Sequence, residues 1–332
     1  MKKNIGLAIL FIIIISSCHV FLGTDPDNDP KSIFDSIWND FNEIYPFFEI
    51  KGIDWDEIYR IYSPQIHPGM NDLSLFHVCS QMLDELNDPH VILFSPFSIP
   101  QGRPSLDFWH VTSRLIDEGT FTDDNMFLYG TFKTRPDVGY IHIRRFSSGK
   151  ISIASGMVQD WAKQIDTILR SLAHTNSIIL DIRNNNGGFS SNAQYIASRF
   201  TSIQKDFMIT RTKNGPGPDD FSDPVTWAIS PATTRYTKLV VLLTNNDTIS
   251  AAERFTLALR TQNHVIHVGE STSGAFSVRI TRPLINGWIY TMSVQQVTDI
   301  HGNNLEGTGI IPDIELTGRI DQQLEFALDF IP

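Results

Sequence analysis

Two short runs, Ile178–Ile182 and Leu239–Leu243, are apolar at every position except Asp181. A strand facing water on one side would alternate polar and apolar residues. An unbroken apolar run of this length belongs to a strand covered on both faces, as in a parallel sheet. Each run is followed by a helical pattern, near Asn192–Phe200 and at Ala251–Leu259, and a further strand follows at Val265–Val268. Upstream, Val138–Ile143 reads as a strand, and Ile151–Leu172 as a long helix with Ile153, Met157, Trp161, Ile165, Ile168 and Leu172 on one face. Successive β-α-β crossovers of this kind require a sheet with helices packed against it. Residues 137–332 therefore read as an α/β core. Within it, Gln204–Thr237, rich in Pro, Gly and Asp, reads as an excursion on the surface.

The first part of the chain follows another rule. Ile33, Phe34, Ile37, Trp38, Phe41, Ile44 and Tyr45 recur at helical spacing behind Asp29-Pro30, a good cap and first helical position. Asp54 with Glu57 opens a second helix, and Leu75, Cys79, Met82, Leu83 and Leu86 stripe a third, which Asn87-Asp88-Pro89 stops. Residues 31–90 are expected to form a small helical bundle. Residues 91–136 read as a mixed connecting segment, too short for a peptide-docking domain of the usual size.

Residues 1–17 carry Lys2 and Lys3, then the apolar run Leu7–Ile15, then Ser16-Ser17 before Cys18. That is the pattern of a secretory signal, with an apolar core too short to span a bilayer. The ending I-S-S-C resembles a bacterial lipoprotein signal cleaved before Cys18, and residues 18–30 then read as a polar tether. Cys79 is the only other cysteine, so no intrachain disulfide is expected, and its place on an apolar helical face makes it a small core residue. The net charge is −11. An acidic chain does not suggest nucleic acid or an anionic membrane surface as partner. The metal-binding patterns H-E-x-x-H and paired C-x-x-C are absent, so no metal or cofactor is expected.

Three features carry candidate chemistry. Ser250, in T-I-S-A-A-E, lies between an apolar strand and a helix, where a hydroxyl sits at the carboxyl edge of a sheet beside unpaired helix N–H groups. Serine is also a preferred N-cap, so by itself it is ambiguous. The strand 178–182 ends in D-I-R-N-N-N-G-G, and paired glycines let backbone approach a substrate closely. His90 stands at a domain junction in L-N-D-P-H, with His301 and His110 as competitors for a base. Glu306 lies in a glycine-rich turn, N-N-L-E-G-T-G-I-I-P-D-I. Asp181 and Arg183 read as shaping their loop, and Glu253 as a structural acid able to pair with Arg183 or Arg254.

Taken in order, the helical start F-D-S-I-W and G-I-D-W-D-E-I-Y, then L-N-D-P-H, V-G-Y-I-H-I, D-x-R-x-N-x-G-G, T-I-S-A-A-E, V-G-E-S-T-S-G and E-G-T-G-I-I-P-D-I resemble the C-terminal processing (tail-specific) family of serine peptidases. The resemblance runs from about Phe34 to the end. It implies a crotonase/ClpP-like mixed sheet with β-α-β crossovers, preceded by the helical bundle. One branch of the family uses a lysine about 25 residues after the serine, but position 275 is alanine. The other branch, similar to the tricorn core and to interphotoreceptor retinoid-binding proteins, uses a histidine and a glutamate, matched here by His90 and Glu306. Pro89 stands where the tricorn core has a further serine. The resemblance implies acyl transfer with Ser250 as nucleophile, His90 as base, Glu306 as its orienter, and backbone N–H groups of Gly187 or Gly188 and of Ala251 holding the oxyanion. Peptides or unfolded polypeptide tails are the implied substrates, met at the periplasmic or outer-membrane face of a cell envelope through a lipid on Cys18. The rivals are a peptide- or apolar-ligand-binding lipoprotein on the same fold and a surface scaffold with a vestigial site.

Overall fold

In the computed structural model the described residues are 27–97, 115–148 and 157–332. Cys18 and His110 lie outside them. The chain divides into two compact units.

The smaller unit begins with Pro30–Ile44 (α1), Phe48–Lys51 (α2), Trp55–Tyr62 (α3) and Asp72–Asp84 (α4). The caps are the expected ones. Asp29 accepts from Lys31 N and Ser32 N, and Asp54 accepts from Glu57 N. Ile33, Phe34, Ile37 and Phe41 are buried along α1, and Cys79 and Met82 along α4. The unit is not purely helical. Ile92–Phe94 (β1) pairs antiparallel with residues 289–291, so a three-stranded sheet drawn from both ends of the chain completes it. Residues 88–90 group with the larger unit instead.

The larger unit holds a seven-stranded mixed sheet. Ile116–Phe121 (β2), Phe127–Phe132 (β3) and Val138–Ile143 (β4) form an antiparallel edge. Residues 116–121 and 127–132 of the stretch expected to be a connector are thus strands of the sheet. The described part of the next helical stretch is Asp160–Lys163 (α5) and Ile165–Ser171 (α6), broken at Gln164. Residues 151–156 of the expected long helix are outside the described residues. Ser177–Asp181 (β5) follows, parallel to β4, then Ser190–Ala197 (α7).

Lys205–Thr212 (β6) and Val225–Ile229 (β7) occupy the stretch expected to be a surface excursion. They form a hairpin that buries Phe207, Met208 and Ile229. The glycine- and proline-rich turn between them set the composition, while its alternating flanks build the strands. Leu239–Thr244 (β8), Ala251–Arg260 (α8) and Val265–Gly269 (β9) complete the crossovers, with β8 parallel to β5 and β9 parallel to β8. Arg279–Pro283 (β10) and Ile289–Ser293 (β11) belong mainly to the smaller unit's sheet. Gln295–Thr298 (β12) pairs with β6, Ile314–Glu315 (β13) extends the main sheet beside β9, and Ile320–Phe330 (α9) ends the chain.

Alternate residues of the central strands point to opposite faces. Ile178, Leu180, Val240 and Leu242 join one core with α5–α8. Ile179, Val241 and Leu243 join the other, beneath Leu324, Ala327 and Leu328 of α9. Both faces are covered, which is why these strands are apolar throughout.

Candidate active site

β5, β8 and β9 are adjacent and parallel, so the loops after them leave the same sheet edge. Ligands bind at the carboxyl edge in open α/β sheets.

Ser250 closes the loop after β8 and precedes α8. Its backbone has φ 64° and ψ −122°, outside the usual range of a residue with a side chain. Such a conformation costs about 1–3 kcal/mol and persists only where surrounding contacts impose it. The contacts are visible. Ser250 N donates to Ala275 O at 3.1 Å and to Glu253 Oε2 at 2.9 Å, and Ile249 N donates to Asn185 O at 3.1 Å. Ser250 is half-buried, and Ala251, the first residue of α8, is buried. An N–H in the first turn of a helix has no carbonyl within that helix to reach.

The D-I-R-N-N-N-G-G loop abuts this turn. A Cβ on Gly187 would stand 2.7 Å from Ser250 Cβ and 2.8 Å from Ile249 O, so only glycine permits the approach. Gly187 also has φ +81°. Its N–H donates to Asn185 Oδ1 at 3.0 Å, and its carbonyl accepts from Phe146 N at 2.7 Å. Gly187 is buried, whereas Gly188 is exposed. At the loop's base, Asp181 and Arg183 form a fully buried pair at 2.6 Å, which Tyr140 and Gln323 complete. Both shape the loop.

The segment after β9 closes the third side. The peptide between residues 275 and 276 has its carbonyl on Ser250 N and its N–H on Glu306 Oε2, at 3.0 Å. Glu306 is buried and reaches this peptide because its turn is pinned to the same segment. Gly307 N donates to Gly274 O at 2.7 Å, and Ile310 N to Thr272 Oγ1 at 2.8 Å. Ala275 is fully buried, and its carbonyl accepts from Ser250 N.

Glu253 corrects one expectation. It does not pair with Arg183, whose carboxylate partner is Asp181. Its two oxygens accept from Thr272 Oγ1, Gly274 N, Ala275 N and Ser250 N instead. Burial pushes its carboxyl up to about 7, against the pull of those four bonds. Arg254 donates twice to Phe276 O and once to Gln295 Oε1. Burial pushes its guanidinium down to about 10, opposed by Glu306 and Glu253.

His90 is 4% exposed, and its backbone N–H donates to Asp88 Oδ1 at 2.8 Å. Residues 88–90 pack with the unit that carries Ser250 and Glu306. His301 is exposed on a turn closed by Asp299. Among the described residues no cluster of His, Cys, Asp and Glu is suited to hold a metal ion, and no helix is long and apolar enough to cross a membrane.

Residues 137–316, more than half of the chain, match the model of peptidase family S41, and residues 26–84 match that of the tricorn protease C1 domain. The chain is 28% identical over 178 residues to the carboxy-terminal processing protease CtpA of Bacillus subtilis (strain 168), an alignment covering 53% of this chain and 36% of that protein. The chain thus spans about a third of the length of that curated relative. A solved structure from Parabacteroides merdae ATCC 43184 superposes with a TM-score of 0.77 at 26% identity, over 92% of this chain and 97% of the other. The photosystem II D1 C-terminal processing protease shares the fold at a TM-score of 0.53 and 14% identity, over 86% of this chain and 92% of the other.

Proposed function

The chain belongs to peptidase family S41, and from that premise we propose that it is a serine peptidase cleaving peptides or unfolded polypeptide tails by acyl transfer. The reading rests on one observation above the rest. A single peptide unit, 275–276, joins the backbone of Ser250 to the carboxylate of Glu306, with the Gly187-Gly188 loop against the same serine.

The chemistry follows from the groups present. Ser250 Oγ attacks the scissile carbonyl while His90 takes its proton, and His90 then returns that proton to the leaving amine. Glu306 fixes the imidazole and stabilises its cation. Ala251 N–H and Gly188 N–H receive the oxyanion, each contributing about 10²–10³ in rate. Ala275 offers no amine, which favours a histidine base over a lysine. The strained Ser250 backbone is consistent with a nucleophile held ready, since strain of this kind concentrates at reacting residues.

The test is covalent. A fluorophosphonate probe is expected to modify the protein at Ser250, read by mass spectrometry of the labelled peptide. A protein that stays unlabelled, or that labels at another serine, removes the nucleophile assignment.

We place the enzyme in the cell envelope, tethered through a lipid on Cys18, on the strength of the I-S-S-C pattern. Growth with a labelled fatty acid is expected to tag the full-length chain, and Cys18→Ser to abolish the tag. A tag that survives the substitution places the lipid elsewhere.

A further inference from the structure

Glu253 is fully buried, beyond what an acid in the first turn of a helix needs. A capping glutamate has one task, to accept from the N-cap N–H. Glu253 does this for Ser250, at 2.9 Å. It then accepts three further bonds, from Thr272 Oγ1 at 2.7 Å, Gly274 N at 2.6 Å and Ala275 N at 2.9 Å. Four donors fill a carboxylate's four acceptor sites. Three of them come from a different segment, the one whose 275–276 peptide touches both Ser250 and Glu306.

We propose that Glu253 is a positioning residue for the acyl transfer, clamping residues 272–275 against the nucleophile turn so that Ser250 and Glu306 keep their shared peptide. The proposal rests on the reading of Ser250 as nucleophile. The clamp needs an anion. A neutral amide at this site would turn its own N–H groups toward backbone N–H groups, leaving buried donors without acceptors.

Few other charges act here. Arg254 lies on the same helix and Glu306 on the packed turn, while residues 272–275 carry no titratable side chain. Because burial raises the Glu253 carboxyl to about 7, the four-fold acceptor is complete above that pH. On acidification through about 7 one oxygen gains a proton and becomes a donor facing donors, so the clamp weakens as pH falls. Labelling of Ser250 therefore requires Glu253 to be deprotonated, and slows as the pH falls through about 7.

The experiment measures the fluorophosphonate labelling rate from about pH 5 to 9. It also measures amide exchange at Gly274 and Ala275, for wild type, Glu253→Gln and Thr272→Val. Wild type is expected to show an acid limb that follows the Glu253 carboxyl, with its midpoint near 7. Glu253→Gln is expected to label about 10²-fold more slowly, the cost of misplacing a reacting group by about 1 Å. Its acid limb near pH 7 should be lost, with faster exchange at Gly274 and Ala275 and unchanged exchange in β5 and β8. Thr272→Val removes one donor and keeps the charge, so it should lose less than Glu253→Gln.

Wild-type rate, acid limb and exchange in Glu253→Gln overturn the clamp. If that variant does not fold, Thr272→Val decides, and a wild-type rate there overturns it. If wild type itself does not label, the peptidase reading fails and the positioning proposal falls with it. Exchange at Gly274 and Ala275 then tells whether the clamp holds as structure alone.

Discussion

Ser250→Ala and His90→Ala are each expected to lower peptide hydrolysis by about 10⁴–10⁶, and the double variant is expected to be no slower than the worse single one. The reason is that in the proposed mechanism Ser250 and His90 act as a unit of nucleophile and base. Without the hydroxyl there is nothing for the imidazole to activate, and without the imidazole the hydroxyl stays a weak nucleophile. What remains in each case is catalysis by the proposed oxyanion donors, Gly188 N–H and Ala251 N–H. Initial rates on an unstructured peptide, with intact far-UV circular dichroism as the folding control, check this. Losses that multiply in the double variant would mean two independent contributions, and the base role would pass to another group, with His301 next in line.

Asp181→Ala is expected to destabilise the fold by about 3–5 kcal/mol, because it leaves the Arg183 guanidinium buried without its carboxylate. The melting temperature should fall by on the order of 10 °C. Asp181→Leu with Arg183→Met should recover much of the loss, since apolar side chains carry no buried charge. The effect also depends on pH in a defined direction. Burial alone would raise the Asp181 carboxyl, but Arg183 outweighs it and holds the group below 3.8. A lowered acid contributes stability above its unfolded value and loses it as pH falls through the folded one. The gap between wild type and Asp181→Ala should therefore close in strong acid, as chemical denaturation at several pH values would show.

Much of this was legible in the residues because it was local. Asp29 and Asp54 cap the helices they precede in sequence, and Cys79 is buried on the face its spacing defines. The runs 178–182 and 239–243 are neighbouring strands with both faces covered. Other features rest on partners far away along the chain. The hairpin of β6 and β7 was hidden by the composition of its turn. The pairing of β1 with β11 joins residues about two hundred positions apart, and nothing in either strand names the other. Glu253 reads as an ordinary first-turn acid until its three bonds to residues 272–275 are seen. Gly187 and Gly188 are equivalent as letters, but in the fold Gly187 is the one packed against Ser250, with its N–H donating to Asn185 Oδ1.

Sequence by itself determined the parallel crossovers and the turns where chemistry could sit, because strand burial and turn geometry are imposed by neighbouring residues. Tertiary structure alone decided that the 275–276 peptide links Ser250 to Glu306. It also turned Glu253 from a helix cap into a four-fold acceptor. Those are contacts between segments that no periodicity relates, and they form only when three loops leave one sheet edge and close on each other.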